Sequence, residues 1–183
     1  MSETKQNEAS QGEDFAERFV AAVSGAIRDD KGLRATLRRA DNPDTEYQCW
    51  PFLLKCGVDI EKASQRIPAT LVAAAIARVE PDANGTFPLP AALADSYPDK
   101  ADAAPASSRM RRICSCDSVE EFGDVIRPVL KLVESKSKLP LDYADLYRQA
   151  RSFAFDSSRE RAKIAWMKAF FSYGRKQKEE KTK

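Results

Sequence analysis

Apolar positions along this chain recur every three to four residues, and alternation of strand period is missing over any useful length. From Glu13 to Arg28 they fall at Phe15, Phe19, Ala22, Val23, Ala26 and Ile27, one face of an amphipathic helix. Asp29-Asp30-Lys31-Gly32 breaks that pattern. Leu33 and Leu37 stand one turn apart, with Ala40 following, and predict a short helix ended by Asn42-Pro43-Asp44. Thr45 to Lys55 predicts another helix, with Tyr47, Trp50 and Leu54 on one side and Gly57 as its C′ residue. Pro51 is set to kink or stop it. Ala69 to Val79 is apolar nearly all round, as in a buried central helix, and Pro68 suits its first turn.

Glu80 to Pro90 reads as a loop, and a short helix follows around Ala91–Ser96. The second half is more regular. Ser107 to Ser115 predicts a basic helix. Ser118-x-x-Glu121 has the spacing of a capping box, in which hydroxyl and carboxylate each accept a backbone N–H that the helix leaves over. Behind it Phe122, Val125, Ile126, Val129, Leu130 and Val133 trace a helical stripe, with a bend expected at Pro128. After a loop over Ser135–Leu139, Leu141-Asp142-Tyr143 opens a helix with Leu146, Tyr147, Ala150 and Phe153 on its apolar side. Ser157-x-x-Glu160 predicts a second capping box and a last helix carrying Ile164, Met167, Phe170 and Phe171, stopping near Gly174.

The expected fold is all-α: two small helical bundles joined by a linker. Residues 1–11 read as a disordered polar tail and 12–96 as an N-terminal helical domain. The linker is 97–106, where Tyr97-Pro-Asp-Lys-Ala-Asp-Ala-Ala-Pro105 is rich in breakers. Residues 107–174 form the C-terminal bundle and 175–183 a charged tail. A content of only 7 glycines argues against turn-rich all-β folds. No apolar run approaches the ~18 residues of a membrane span. The polar, acidic stretch Met1–Asp14 is neither a signal nor a transit peptide. The expected location is the cytoplasm, with no membrane partner.

Charge changes this picture, because it is sorted. Overall 30 Lys+Arg stand against 28 Asp+Glu. Residues 1–105 hold 12 basic and 17 acidic residues, and residues 106–183 hold 18 basic and 11 acidic. The sign therefore reverses at the linker. Within the acidic half lies one purely basic island, Lys31 to Ala40, with Arg34, Arg38 and Arg39. Like charges packed this closely repel, and a polyanion would complete the site.

The usual reaction centres are closed to this chain. It has no histidine, which removes Ser-His and Cys-His dyads and His-containing metal sites. Cys49-x6-Cys56 and Cys114-x-Cys116 lack the C-x2–4-C spacing of zinc sites and read as reduced, half-buried thiols. Asp29-Asp30 lies on a loop, and Asp142 and Asp145 sit at a helix start, where capping accounts for them. Neither a phosphate-binding glycine loop nor a nucleophile elbow is present. No catalytic residue, metal or cofactor is expected.

Binding remains. The basic sets are Arg34/Arg38/Arg39, Arg109/Arg111/Arg112, Lys131/Lys136/Lys138, Arg148/Arg151 and Arg159/Arg161/Lys163. Arginine outnumbers lysine in four of the five sets, and guanidinium pairs bidentately with phosphate, which points to a nucleic-acid backbone. Phe153, Phe155, Trp166, Phe170 and Phe171 are interleaved among them and offer stacking planes, but their helical spacing favours core packing. A helical protein-binding adaptor with a basic surface and no nucleic-acid role is the alternative.

Four segments, in order, resemble a known family. Gly32-Leu-Arg-Ala-Thr-Leu-Arg-Arg-Ala-Asp-Asn-Pro43 looks like the "LRRA…P" signature of the small subunit of the type I-E CRISPR Cascade complex, the CasB family. Ser108-Arg-Met-Arg-Arg-Ile-Cys-Ser-Cys-Asp117 is similar to a second family segment, and Ile126-Arg-Pro-Val-Leu with Leu141-Asp-Tyr-Ala-Asp-Leu-Tyr to a third. Ser158-Arg-Glu-Arg-Ala-Lys-Ile-Ala-Trp-Met-Lys-Ala-Phe170 is like the family's closing "R…W…F" helix. The resemblance spans roughly residues 32–172. It implies an all-helical, non-catalytic subunit that pairs head to tail beside other Cascade subunits. It further implies sequence-independent contacts to guide RNA and to the displaced and target DNA strands of the R-loop. Guide pairing reads the sequence, so phosphate contacts suffice for such a subunit.

Overall fold

The computed structural model describes the backbone of residues 2–181 and the side chains of residues 15–99 and 101–175. Among the described residues it is all-helical: nine α-helices, two 3-10 turns and a single isolated bridge between Phe87 and Leu141. The helices are α1 (Ser2–Asp29), α2 (Lys31–Leu37), α3 (Trp50–Lys55), α4 (Ala63–Val79), α5 (Leu89–Asp95), α6 (Ala104–Cys114), α7 (Val119–Lys136), α8 (Tyr143–Ser152) and α9 (Asp156–Lys181). The chain divides into two compact units. One holds residues 1–84 and 143–149, the other residues 85–142 and 150–183. The tails expected over 1–11 and 175–183 lie, except for Arg175, outside the residues whose side chains are described. The helix assignments there begin at Ser2 and end at Lys181.

In the first unit α1 buries Ala16, Phe19, Val20, Val23 and Ile27, a stripe rotated slightly from the expected one, so that Ala22 is exposed. Phe15 and Phe19 meet Tyr147 of α8 with ring centroids 5.6 and 5.5 Å apart. Asp30, rather than merely breaking the chain's helicity, caps α2: its carboxylate accepts the Leu33 N–H at 2.8 Å. The stretch expected as one helix over Thr45–Lys55 is a 3-10 turn, Glu46–Cys49, followed by α3. Pro51 falls in the first turn of α3, where its missing N–H costs nothing. The buried face there is Cys49 and Leu53, while Tyr47 and Leu54 face outward.

Helix α4 is the buried centre of this unit, with Ile67 to Ala77 all enclosed. It begins at Ala63, earlier than Pro68 suggested. The extra turn is anchored by Arg66, which donates to the Ile60 carbonyl at 2.6 Å and pairs with Glu46 at 3.1 Å. Arg78 of α4 reaches Asp41 at 2.9 Å, and Asp41 is only 4% exposed. Asn84 accepts the Tyr143 N–H at 2.8 Å and so supplies a cap to α8 from far along the chain.

In the second unit the stripe of α7 is as expected except at Val125, which is half-buried: Phe122, Ile126, Val129, Leu130 and Val133 are buried. Ser118 accepts the Glu121 N–H at 3.1 Å, and Glu121 reaches back to the Asp117 N–H at 2.8 Å. The first capping box is therefore formed, one residue wide of the standard return contact. Ser157 lies inside α9, not at its cap; α9 starts at Asp156, and Ser158 bonds the carbonyls of Phe155 and Ser152 instead. Phe122, Phe153 and Trp166 form the aromatic centre, with centroids 4.1 to 6.0 Å apart.

Residues 97–106, expected as the joint between bundles, belong inside this second unit. Its alanines are the reason: Ala101 and Ala106 are buried like the alanines of α5. Gly174 lets α9 come close to Ala101, since a Cβ there would stand 2.9 Å from the Ala101 Cβ. That contact explains Gly174 better than the helix end expected there, and α9 runs on past it. The segment 85–87 is laced to 140–142 by Gly85 N–H to Leu141 O at 3.0 Å and Asp142 N–H to Phe87 O at 2.9 Å.

Candidate nucleic-acid interface

The fourteen cations expected to meet phosphate fall into two groups, those engaged by this chain and those it leaves open. In the first unit Arg34 pairs with Glu80. Arg38 donates from Nη2 to the same carboxylate at 3.3 Å and from Nε to the Ala77 carbonyl at 3.0 Å. Glu80 closes α4 in the left-handed conformation, φ 53°, and its N–H returns to Ile76 O. Two of the three island arginines thus serve the end of α4, where carbonyls lack helical partners. Arg39 is exposed, and no ion pair to a described residue engages it. Arg148 is half-buried on α8.

In the second unit Arg159 is engaged by Asp156 at 2.6 Å and by the Phe153 carbonyl at 3.4 Å. Lys163 lies 3.2 Å from both Asp117 and Glu160. Its partial burial works against charge, but the hydrogen bonds that it donates to Glu160 and Asp117 outweigh that and raise the ammonium above the usual lysine range. Arg151 is half-buried.

The open group gathers on α6 and the end of α7. Helix α6 buries Ala106, Met110 and Ile113 and contains no acidic residue. Its outward positions include Arg109, Arg111 and Arg112. Arg111 contacts the Ser107 hydroxyl at 3.3 Å and Arg109 the Pro105 carbonyl at 3.4 Å, and no ion pair to a described residue engages either. Arg109 also stands over the Tyr97 ring, 5.9 Å from its centroid, and Lys136, the last residue of α7, lies 6.0 Å from the same centroid. Two cations far apart in sequence therefore converge on one aromatic ring. Lys131 and Lys138 flank Lys136 in sequence and are exposed, as is Arg161 on α9.

Tyr97 carries no signal in the sequence beyond its place before a proline, and its role in gathering cations emerges only from the fold. Glu80 is equally silent there. Of the aromatics, Phe153, Trp166 and Phe170 are buried, whereas Phe155 and Phe171 are exposed. Cys49 and Cys116 are buried free thiols, and Cys56 and Cys114 are partly buried. Among the described residues no group of three or more carboxylates and thiols gathers as a metal site, and no helix is long and apolar enough to cross a membrane.

Among the described residues this is an all-helical protein in which Arg109 of α6 and Lys136 of α7 meet at Tyr97 with no ion pair to a described residue. The family model described as CRISPR-associated protein Cse2 matches residues 33–171, well over half of the chain, and the chain belongs to that family. Membership indicates a subunit of a CRISPR Cascade complex. In fold the chain is similar to the crystal structure of CasB from Thermobifida fusca, with a TM-score of 0.63 and 19% identity. The match covers 87% of this chain and 97% of that one. No curated protein matches the chain.

Proposed function

We propose that this chain is a non-catalytic subunit of an RNA-guided antiviral complex acting in the cytoplasm. It holds the backbones of the displaced and target DNA strands, with guide RNA as a further contact, and so stabilises the R-loop. The observation that carries this reading is the convergence of Arg109 and Lys136 on Tyr97 at 5.9 and 6.0 Å. Two cations drawn to one ring, with no ion pair to a described residue, repel one another, and a phosphate bound beside them removes that cost. Arginine adds a bidentate grip, and neither residue needs to read a base, because the guide does so. Arg111 and Arg112 of α6, which holds no acidic residue, and the exposed Lys131 and Lys138 are further candidate contacts, and Arg39 adds an exposed cation in the first unit.

Head-to-tail pairing of copies belongs to the same reading. The charge reversal between residues 1–105 and 106–183 supports it, since an acidic half of one copy complements the basic half of the next.

The test is strand retention by the assembled complex carrying Arg109→Ala and Lys136→Ala. Retention should fall for all target sequences alike. The salt dependence should flatten by roughly 0.7 in slope for each single-strand phosphate that the variant no longer neutralises. A purely protein-binding adaptor would show neither change.

A further inference from the structure

The outer face of α9 carries a second surface, outside the cluster of cations around Tyr97. Ile164 is 55% exposed and Phe171 is 43% exposed. Seven residues apart, they lie two turns from each other along one line of the helix. Arg161, Lys168 and Arg175 alternate with them at steps of three and four, and all three are exposed. No Asp or Glu occurs between Arg161 and Arg175. Glu160, at the head of the face, is taken by Lys163 at 3.2 Å. No ion pair to a described residue engages the three cations. The inward side of α9 buries Ala162, Trp166, Phe170 and Gly174, so the core makes no use of Ile164.

We propose that this face docks a protein, namely another subunit of the complex that offers an apolar groove rimmed by carboxylates. The proposal rests on the reading of the chain as a Cascade subunit. Charge complementarity selects the rim: three cations in line, with no acid between them, orient and speed the approach of an acidic surface. The aliphatic side chain selects protein over nucleic acid. Ile164 offers a base no stacking plane and a phosphate no charge. In an apolar groove it serves as one of two anchors at i and i+7, the spacing by which a helix lays its face into a partner.

Two measurements on the reconstituted complex test this. In the first, Ile164→Ala with Phe171→Ala is compared with the parent for incorporation of the chain, with melting of the isolated subunit as control. Incorporation should weaken at least tenfold while melting falls only slightly, because Ile164 and Phe171 are 55% and 43% exposed and Phe171 touches the core edge-on, at the Phe170 ring 5.1 Å away. In the second, Lys168 is replaced by a photo-crosslinking phenylalanine and the crosslinked segment is identified. The crosslink should fall on another subunit, within an apolar segment flanked by Asp or Glu. A crosslink to guide RNA, to DNA, to a second copy of this chain or to a segment without carboxylates overturns the proposal. So does undiminished incorporation of the double variant. Loss of strand retention on Arg109→Ala with Lys136→Ala, alongside undiminished incorporation of the α9 variant, would sink the docking face and leave the strand-holding function standing.

Discussion

Arg38 donates its Nε hydrogen to the carbonyl oxygen of Ala77 at 3.0 Å, so a residue of the basic island completes the last turn of α4. Arg34 and Arg38 also share Glu80. The side chains of Arg38 and Glu80 are 48% and 40% exposed, so their ion pair is worth only about 0–1 kcal/mol. The bond to a helix-end carbonyl adds a contribution of about the same size. Arg38→Ala should therefore cost about 1 kcal/mol and lower Tm by roughly 2–4 °C in a chain of this length. Arg39→Ala should leave Tm unchanged and weaken strand retention instead. Thermal melting of both variants, beside retention assays in the complex, separates the two roles. Equal behaviour of the two variants would contradict this division.

Three glycines predict three different responses to alanine. At Gly85 a Cβ would stand 2.1 Å from the Pro140 carbonyl oxygen, with backbone atoms on which relief is expensive. Gly85→Ala should break the lacing of 85–87 to 140–142 and cost at least about 2 kcal/mol. At Gly174 the nearest atom is the Ala101 Cβ at 2.9 Å, so the loss should be smaller but still measurable. At Gly25, on the outward side of α1, a Cβ meets nothing within 4 Å. Gly25→Ala should stabilise the chain by about 0.5–1 kcal/mol, through helix propensity and a less free unfolded state. Chemical denaturation of the three variants checks the order, and a stabilised Gly85 variant would refute the close approach.

The helical framework was legible because its signals are local. The stripe of α7 and its Ser118 box, the apolar face of α8 and the all-round apolar character of α4 each follow from spacing alone. What escaped was set by long-range contacts. Pro68 marks a helix start by propensity, but Arg66, held by Ile60 and Glu46, carries α4 a turn further back. Gly174 has the composition of a helix end and is instead a point of close packing against Ala101. Tyr97 to Ala106 has the composition of a linker, yet its Ala101 and Ala106 are core. The candidate site divides in the same way. The basic sets were visible in the sequence, but which cations are taken depends on Glu80, Asp156 and Asp117, whose partners lie across turns or helices.

The buried thiols predict an alkaline limit. Burial, first, and the nearby Glu46 carboxylate, second, push the Cys49 thiol from its ordinary value of 9.0 up to about 12, against a smaller lowering by a backbone hydrogen bond. Burial likewise pushes Cys116 up to about 11. A thiol with a raised pKa holds its proton more tightly in the folded chain than in the unfolded one. Its contribution is complete below pH 9 and is lost as pH climbs through the folded values. Stability should thus fall between pH 9 and 12, and the fall should be shallower in Cys49→Ala. At about pH 8, alkylation should reach Cys56 and Cys114 before Cys49 and Cys116, because the thiolate is the reacting form and the latter pair is also shielded. Mass spectrometry of partly alkylated protein gives the order. Early modification of Cys49 would show its environment to be open.

Tyr97 offers the sharpest test of how the cations are gathered. Its ring lies within 6.0 Å of both Arg109 and Lys136, a distance at which each cation is attracted to the π face by about 0.5–1 kcal/mol at an exposed site. If the ring preorganises the pair, removing it leaves both charges present but free to spread apart. Tyr97→Leu should then weaken strand retention several-fold while leaving the salt slope nearly as steep as in the parent, since the number of cations is unchanged. Arg109→Ala should weaken retention and flatten the slope, since a cation is removed. Tyr97→Phe keeps the ring and should behave as the parent, which separates the π contribution from any hydroxyl bond to a strand. Tyr97 is half-buried, so melting of each variant must accompany the binding curves. If Tyr97→Phe fails as badly as Tyr97→Leu at unchanged Tm, the hydroxyl is what touches the strand. If neither alters retention, Arg109 and Lys136 act independently and the ring is no organiser of the site.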